Sequence, residues 1–459
     1  MSDSIWKKEI RLSRAPKEPR QPKPEPVRET EPRDSVWKKE ISFSRKPKEP
    51  REQGPSRKQR REVERLARAA AQAVAPEFEA KPKKEKEPKA KRERRTPSLS
   101  LPKLPALRTR RGARIVGLTI GASQIAAARV ANDAVAELQQ VARAPLATGV
   151  VVGGELRDPD ALVASLRSFF ATNRLPRNNV RLGIASPRIG VRIFDLPATA
   201  DDKQLRNAVH FRAQEALPIP LDEAVLDYRL LGQTVDDGGQ VMKRVLLVVA
   251  HRELVERYVA ACRRAGLTLS GIDLEAFALL RSLAPPAERD GSALVALAIG
   301  HERTTLAVSD GRVCEFTRVL EWGGWTLNVA LARALDAAPS EVEALKRRLT
   351  LESGPAPEGL TPEQGTAAVD AVRRAVEALA RELVSSLQFY QGQPGSLGIG
   401  EIVITGGTAQ LAGLADELER LTGVRVRVGN PLGRLKVASQ VADLEVGALA
   451  VAIGLGIED

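Results

Sequence analysis

Residues 114–123 read RIVGLTIGAS, an apolar segment of strand-like composition that runs directly into a small turn containing glycine. The same design recurs at Leu294–Thr304 (LVALAIGHERT) and at Ile402–Thr408 (IVITGGT). Glycine turns let backbone N–H groups approach an anion closely, and a hairpin or helix that starts there completes the cradle. Three such turns in one chain, two of them at the heads of related units, predict a nucleotide held between two domains.

Strand-like and helix-like segments alternate outward from these turns, from about residue 113 to the end of the sequence. Such alternation predicts an α/β architecture. Residues 181–270 have the texture of a compact α+β insert, with strands and helices of their own. We therefore expect a tail (1–112), the first part of domain 1 (113–180), the insert (181–270), a return helix (271–291) and a second domain with a closing C-terminal helix (292–459).

The charge of the chain is divided unevenly along its length. The whole protein carries a formal charge of +13, but residues 1–112 hold 34 basic and 17 acidic side chains, a net charge of +17. The remaining residues hold 37 basic and 41 acidic side chains, a net charge of −4. A mildly acidic core offers no footprint for a phosphate backbone, so the sequence argues against nucleic acid as a partner.

The tail is rich in Lys, Arg, Glu and Pro, a composition that predicts disorder. It contains a duplicated motif, DSIWKKEI at residues 3–10 and DSVWKKEI at 34–41, so that Trp6 and Ile10 recur as Trp37 and Ile41. An aromatic anchor with alternating apolar residues favours a short partner-binding motif that adds a strand to a sheet edge. Attachment to an anionic membrane surface, or a duplicated linker without a partner, are the alternatives.

Other site classes find little support in the composition. Cys262 and Cys314 are distant in sequence, which is typical of reduced cysteines in the cytosol. Three histidines and two dispersed cysteines make no zinc pattern, so no metal site is expected. No apolar run reaches the roughly 18 residues of a membrane helix, and the N-terminus has no apolar signal core. We expect a cytoplasmic protein that a partner or the tail holds at the inner face of the membrane.

Several phrases of the core resemble the PilM family, actin-like proteins related to FtsA. The most specific is Phe211–Leu231, FRAQEALPIPLDEAVLDYRLL, which is similar to the insert segment of the family. EVEALKRRL at Glu341–Leu349 and ITGGTAQLAGLADEL at Ile404–Leu418 are similar to its nucleoside-contacting motifs. The resemblance covers about residues 113–459 and excludes the tail. It implies an actin-like (ribonuclease H-like) two-domain fold, in which the insert is subdomain 1C within subdomain 1A.

The resemblance also implies that ATP binds in the cleft between the two domains. The residues it places there belong to the glycine turns, to the helix that contacts the nucleoside and to the Gly-Gly pair after Trp322. They are Gly121, Ala122, Ser123, Gly300, Arg303, Thr304, Gly323, Gly324, Glu343, Lys346, Gly406, Gly407 and Thr408.

Departures from the family pattern bear on catalysis. The family carries Asp where this chain has Thr119 and Ala298, and Lys where it has Ala126. Hard divalent cations prefer carboxylate oxygens, and phosphoryl transfer depends on charge neutralisation and positioning. We therefore expect weak or absent ATP hydrolysis, identify no catalytic residue, and regard Mg²⁺ as doubtful in this site.

The function that the resemblance implies is a scaffold of the type IV pilus assembly platform. Members of the family bind a short cytoplasmic N-terminal segment of the inner-membrane protein PilN, and so connect the platform with pilus motor proteins. The loss of acidic residues is compatible with this role, which requires no turnover. The alternatives are an FtsA-like protein that tethers a cell-division assembly to the membrane, and an active actin-like ATPase.

Overall fold

The structure, a computed structural model, describes residues 112–198, 202–216, 220–236, 238–284, 291–352, 357–393, 395–438, 441 and 446–458. The predicted tail and its duplicated motif, with Trp6, Ile10, Trp37 and Ile41, lie outside the described residues.

The strands of the described residues form two larger sheets, a three-stranded sheet and a short hairpin. In chain order they are β1 (Arg114–Ile120), β2 (Gln124–Asn132), β3 (Ala136–Pro145), β4 (Val151–Val152), β5 (Glu155–Leu156), β6 (Val180–Ile184), β7 (Ile189–Pro197), β8 (Ala224–Val235), β9 (Val241–His251), β10 (Leu269–Leu274), β11 (Ser292–Ile299), β12 (Thr304–Ser309), β13 (Cys314–Leu320), β14 (Gly398–Thr405), β15 (Val426–Val428) and β16 (Lys436–Val437).

The α-helices cover these sheets. They are α1 (Pro159–Thr172), α2 (Asp202–Ala216), α3 (Arg252–Arg264), α4 (Glu275–Leu283), α5 (Gly324–Leu335), α6 (Glu343–Lys346), α7 (Pro362–Gln391), α8 (Leu414–Thr422) and α9 (Ala450–Gly456).

The two larger sheets repeat one topology. In the first, β1, β2 and β3 form an antiparallel meander, and β6 and β10 continue the sheet in parallel beyond β1. In the second, β11, β12 and β13 form the meander, and β14 and β15 continue in parallel beyond β11. The hairpins β1–β2 and β11–β12 therefore occupy equivalent places in two related α/β units, which we call the first and second lobes.

The second lobe shows why its strands are so apolar. Along β11, Val295, Leu297 and Ile299 face a core that includes α5 and α7, whereas Leu294 and Ala296 face α4. Strands covered by helices on both faces read as continuous apolar runs rather than as an alternating pattern. The sequence SALVALAI is therefore explained by burial on both sides.

The insert is an antiparallel sheet in the order β7-β9-β8. The buried side chains of α2, Leu205, Val209 and Ala213, share one cluster with Val245 and Leu247 of β9. This sheet lies within the predicted insert segment. Its strand β8 has twelve residues and forms an edge of the sheet in the described part of the chain.

Two helices, α4 and α9, connect the lobes at very close range. A Cβ atom on Gly454 of α9 would lie 1.8 Å from the carbonyl oxygen of Ala278 in α4. A Cβ atom on Gly117 of β1 would lie 2.1 Å from the carbonyl oxygen of Ala452. Only glycine permits such backbone contacts. The cleft described below lies beside this glycine-packed crossing, between the two hairpins.

Several element bounds differ from those that the sequence suggests. The segment Glu341–Leu349, which the resemblance places in a helix that contacts the nucleoside, contains only the single α-helical turn α6, and the closing C-terminal helix is α9 at Ala450–Gly456. The return helix begins at Glu275 because the preceding residues, through Leu274, pair with β6 as strand β10. Strand pairing thus overrides local helix propensity at this junction.

Candidate functional site

The hairpin turns of the two lobes have the same backbone geometry. The Gly121 N–H donates a 2.9 Å hydrogen bond to the Gln124 carbonyl oxygen, and the Gly300 N–H donates a 2.9 Å bond to the Arg303 carbonyl oxygen. In both turns the glycine follows the last residue of the strand, Ile120 or Ile299. The residue after the hydrogen-bond acceptor, Ile125 or Thr304, pairs with that strand residue. The two turns face one cleft from opposite lobes.

The cleft is a cavity of about 110 Å³. Sites for drug-sized ligands have volumes of about 300–1,000 Å³, so a nucleotide requires the lobes or side chains to move apart. Residues of both hairpin turns, of the third glycine turn and of the start of α9 line it. The lining residues include Thr119, Gly154, Glu275, Ala298, Glu302 and Arg303.

The third glycine turn is attached to the second. Gly406 has a φ of 100°, and a Cβ atom there would lie 2.3 Å from the Ile299 carbonyl oxygen. A side chain at this position is therefore excluded both by backbone conformation and by contact. The hydroxyl of Thr408 donates a 2.9 Å hydrogen bond to the Gly300 carbonyl oxygen. The two turns thus form one continuous backbone surface of the second lobe.

Glu343 and Lys346 lie next to this surface. The Lys346 Nζ donates to Glu343 Oε2 (2.7 Å) and to the Gly324 carbonyl oxygen (3.2 Å), and the Gly324 N–H donates to the Gly300 carbonyl oxygen (2.9 Å). Burial would raise the pKa of Glu343, but the hydrogen bonds from Lys346 and Asn328 outweigh it and lower that pKa to about 2. The Oδ1 atom of Asn328 is buried without a hydrogen-bond partner among the described residues.

The tryptophans that flank Gly323 and Gly324 have different environments. Trp322 is buried, and its indole N–H donates to the Ala375 carbonyl oxygen at 3.0 Å, so it is a packing residue. Trp325 is 41% exposed, with its ring centroid 5.6 Å from that of His301. Burial and the nearby Lys346 lower the pKa of His301, which favours the neutral imidazole. An exposed indole beside the glycine turns provides a surface on which a base can stack.

A carboxylate inside the cleft, Glu275, was missed by sequence reasoning. The Thr119 hydroxyl donates a 2.8 Å hydrogen bond to Glu275 Oε1, and the residue is only 7% exposed. Its position at the first residue of α4 is an ordinary one for an acidic side chain, because helix N-termini favour negative charge. The sequence signal is therefore indistinguishable from that of a helix start, and only the tertiary structure places the carboxylate in the cleft.

Arg303 reaches across the cleft to the first lobe. Its Nη2 lies 3.8 Å from Glu275 Oε1, and its Nη1 is buried without a hydrogen-bond partner among the described residues. A Cβ atom on Gly154 would lie 2.0 Å from that Nη1, so the glycine leaves the space that the guanidinium fills. The neighbouring Glu302 accepts a 3.0 Å hydrogen bond from the Gly153 N–H.

Tyr258 fixes the backbone against which Arg303 packs. Its hydroxyl donates a 3.1 Å hydrogen bond to the Gly154 carbonyl oxygen. Burial raises the pKa of Tyr258 to about 12, so the hydroxyl keeps its proton over the physiological range. The β4–β5 hairpin is thereby held in place beside the guanidinium.

The residues proposed from the sequence fall into three groups in the structure. Seven line the cleft: Gly121, Ala122, Ser123, Gly300, Arg303, Gly406 and Gly407. Four, namely Gly324, Glu343, Lys346 and Thr408, belong to the hydrogen-bonded network beside it, and Gly323 packs against the His301 carbonyl. Thr304 does neither, because it is fully buried and its hydroxyl donates to the Trp322 carbonyl oxygen at 2.8 Å, while the next residue, Thr305, lines the cleft.

The donors of the cleft fit phosphate better than a metal ion. The described residues contain no cluster of three or more His, Cys, Asp or Glu side chains that could hold a metal, and the two carboxylates of the cleft, Glu275 and Glu302, accept hydrogen bonds from Thr119 and the Gly153 N–H. The N–H groups of Gly121, Gly300 and Gly406 donate to carbonyl oxygens of the protein, so the unpartnered guanidinium nitrogen of Arg303 is the donor left for an anion. A phosphate oxygen is an acceptor that suits this guanidinium.

Within the described residues, the helices are all too short or too polar to span a bilayer.

Comparison with known proteins gives consistent relatives. A family model described as type IV pilus assembly protein PilM matches residues 117–459. The chain is 25% identical over 359 residues to the cell division protein FtsA of Escherichia coli strain K12. This alignment covers 69% of this chain and 84% of that protein. It is similar to a solved PilM–PilN type IV pilus biogenesis complex, with a TM-score of 0.64 and 26% identity over 76% of this chain and 99% of that one. The predicted actin-like α/β fold is thereby confirmed.

Proposed function

The chain belongs to the PilM family of type IV pilus assembly proteins, and from this we propose that it is a cytoplasmic scaffold of the pilus inner-membrane platform. In this role it binds the N-terminal cytoplasmic segment of a PilN-like inner-membrane protein and holds a nucleotide with weak or absent hydrolysis. The observation that carries the proposal is the cleft itself, which keeps the glycine turns for phosphate but has Thr119 and Ala298 at the acidic positions of the family.

The geometry supports nucleotide as a structural ligand of this scaffold. A phosphate chain in the cleft would contact the turn at Gly121 from the first lobe and the turns at Gly300 and Gly406 from the second. A ligand that spans both turns would add to the contacts that the lobes make through the glycine-packed helices α4 and α9 and through Glu302 and the Gly153 N–H. ATP, when bound, supplies the phosphates and the base that bridge the lobes.

Two features of the cleft disfavour hydrolysis. Of the two carboxylates that line it, Glu302 accepts a hydrogen bond from the Gly153 N–H, and Glu275 accepts one from Thr119 and lies beside Arg303. Glu302 is thereby tied to the first lobe, and Glu275 is paired within that lobe by Thr119. Phosphoryl transfer needs a positioned water and neutralised phosphate charge, and both carboxylates are already engaged by protein donors.

The insert offers surface for the membrane partner. Phe211 of α2 is 62% exposed, and on strand β8 Leu230 and Val235 are 44% and 66% exposed. A twelve-residue edge strand with exposed apolar side chains is a natural place for strand addition by an extended peptide. The PilM–PilN complex to which this chain is similar includes such a partner protein by name. We therefore place the docking of a PilN-like segment on the insert.

The tail provides a second means of attachment. Its two WKKEI motifs would bind a platform or motor protein, or the basic residues around them would bind anionic lipid. Either contact would hold the protein against the inner face of the membrane. Double substitution of Trp6 and Trp37 by Ala is expected to abolish retention by the protein partner. Loss of retention on anionic vesicles at raised salt would instead identify lipid.

The proposal is tested by titrating the full chain with a synthetic peptide of the N-terminal cytoplasmic segment of the PilN-like protein from the same organism. Calorimetry is expected to give one peptide per chain, both with and without ATP. A peptide of scrambled sequence serves as the control. If the matched peptide binds no better than the scrambled one, the scaffold function is wrong.

FtsA-like membrane tethering is the second candidate, and the similarity to FtsA over 69% of the chain favours it. Calorimetric titration with the PilN-like peptide distinguishes the two functions. A tether of the division machinery would not bind the PilN-like peptide, whereas a pilus scaffold would.

A further inference from the structure

The turns of the two lobes differ at each position after the glycine: Ala122, Ser123 and Gln124 in the first correspond to His301, Glu302 and Arg303 in the second. Gln124 and Arg303 are equivalent, because each carbonyl closes its turn by accepting the hydrogen bond of the turn glycine. The first lobe therefore presents a neutral amide to the cleft, and the second presents a guanidinium. Both side chains belong to residues that line the cavity. At this position the second turn adds a permanent positive charge, and at the preceding position it adds Glu302, whose carboxylate accepts the Gly153 N–H.

This guanidinium is not fully satisfied by the protein. Its Nη2 lies 3.8 Å from Glu275 Oε1, which is longer than a hydrogen bond, and its Nη1 is buried with no partner in the described part of the chain. Leaving a buried charged donor unpaired is costly, so such groups are found where a ligand or ion completes them. The ligand that suits an arginine fork in a turn of backbone N–H groups is an oxyanion.

The local packing is arranged around this side chain. Gly154 has a φ of 83°, and any Cβ atom there would lie 2.0 Å from Nη1. The hydrogen bond from Tyr258 holds the Gly154 carbonyl, and the bond from the Gly153 N–H holds Glu302, the neighbour of Arg303. The guanidinium is thus directed into the cleft by contacts on both lobes rather than left to solvent.

Nucleotide phosphates carry a large negative charge, and a protein site must neutralise it. In an actin-like site this is the task of a divalent cation held near acidic side chains. Here Thr119 and Ala298 supply no carboxylate, the two carboxylates that line the cleft, Glu275 and Glu302, accept hydrogen bonds from Thr119 and the Gly153 N–H, and Arg303 supplies a positive charge.

We propose that Arg303 replaces the divalent cation, so that this protein binds nucleoside di- and triphosphates without Mg²⁺. The inference rests on the nucleotide binding proposed above. Arg303 exchanges its weak pairing with Glu275 for bonds to the phosphate oxygens, while the Gly121 and Gly300 N–H groups stay engaged in closing their own turns. The negative charge of Glu275 then opposes the phosphate, and its removal favours binding.

The test is isothermal titration of the full chain with ADP and with ATP, once in Mg²⁺ and once in EDTA. The proposal predicts Kd values in the two buffers that agree within a factor of about 3. Arg303→Gln is expected to weaken binding about 10- to 100-fold in both buffers, since it removes charge-assisted hydrogen bonds. Arg333→Gln, on the exposed face of α5, makes the same charge change away from the cleft and is expected to leave Kd unchanged.

A second variant distinguishes Arg303 from a divalent cation as the positive charge that neutralises the phosphates. Glu275→Gln keeps an acceptor for Thr119 and removes the charge that faces Arg303. Nucleotide affinity is expected to rise about 3- to 10-fold if Arg303 is the counter-charge, and to fall if the carboxylate holds a metal. Inorganic phosphate alone, titrated in parallel, shows whether the cleft needs the nucleoside.

Several results would overturn the proposal. These are a Kd at least about tenfold weaker in EDTA, an unchanged Kd for Arg303→Gln, and no binding of nucleotide in either buffer. Folding of each variant is checked by its binding of the PilN-like peptide. Arg303→Lys retains the charge and is expected to keep part of the affinity. Because the peptide titration is independent of nucleotide, failure here is distinguishable from failure of the scaffold function.

Discussion

The hydroxyl of Thr119 donates a 2.8 Å hydrogen bond to the carboxylate of Glu275, a residue 156 positions later in the chain. This bond joins the first hairpin strand to the start of α4, the helix that leads from the first lobe to the second. At Thr119, where the resemblance to the family implies an acid, the side chain is a donor to another acid. Two groups of the cleft lining thus pair with each other.

Removal of this hydroxyl tests the pairing. Thr119→Val leaves the largely buried Glu275 carboxylate without its donor, and we expect a loss of about 1–3 kcal/mol in the free energy of unfolding. Urea denaturation followed by circular dichroism provides the measurement. Thr119→Ser retains the hydroxyl and is expected to recover most of the loss. Equal stability of the Val and Ser variants would mean that the bond contributes nothing.

The glycine contact between the lobes gives a second prediction. Gly454→Ala places a Cβ atom 1.8 Å from the Ala278 carbonyl oxygen, so α4 and α9 must separate. We expect destabilisation of about 3 kcal/mol or more, since neither backbone can move without disturbing a core. Gly190→Ala, where a Cβ atom meets nothing within 4 Å, is the matched control. Thermal denaturation that is the same for both variants would show that the helices tolerate separation.

Stability should fall with acid because of Glu343. Its pKa of about 2 in the folded protein lies below the ordinary value of 4.5, so this carboxylate stabilises the fold above pH 4.5 and loses that contribution as pH falls toward 2. The side chain is 36% exposed, and after discounting for solvent screening we expect about 1 kcal/mol. Urea midpoints at pH 6 and pH 3, compared between the wild type and Glu343→Gln, provide the measurement. A Gln variant with the same pH dependence as the wild type would contradict this assignment.

The insert surface can be tested separately from the cleft. Leu230→Lys, at an exposed position of the edge strand β8, is expected to weaken binding of the PilN-like peptide by about 1 kcal/mol or more, roughly fivefold. Stability should change by less than about 0.5 kcal/mol, because the side chain is exposed. Val428→Lys, an exposed valine of the second lobe, is the control that should bind the peptide normally. Equal weakening by both variants would place the docking surface elsewhere.

The fold could be predicted from the sequence because its decisive signals are local. Each strand before a glycine turn is continuous and apolar, and burial by helices on both faces explains that composition, as in β11. Gly300 and Gly406 were expected to lie at the cleft, and both line it. Their turn geometry requires small residues, so the glycines themselves mark the turns in the sequence. The family model over residues 117–459 confirms the relationship that the phrases suggested.

The charge pattern of the site could not be predicted in the same way. Glu275 resembles an ordinary first-turn helix residue in sequence, and nothing nearby in the chain reveals its contact with Thr119. Thr304 was expected in the cleft, but the register of β12 turns its hydroxyl toward Trp322 and brings Thr305 to the lining instead. In a strand, one residue of register decides which face a side chain occupies.

The most direct measurement of the central claim is the fate of ATP on the full chain, in Mg²⁺ and in the presence of the PilN-like peptide. The nucleotide recovered from the complex at successive times is separated by anion-exchange chromatography, and the fractions of ATP and ADP are measured. We expect that the peptide binds and that the recovered nucleotide remains ATP over many minutes. Release of phosphate stimulated by Mg²⁺ at rates typical of phosphoryl-transfer enzymes, about 1–100 s⁻¹, would contradict it.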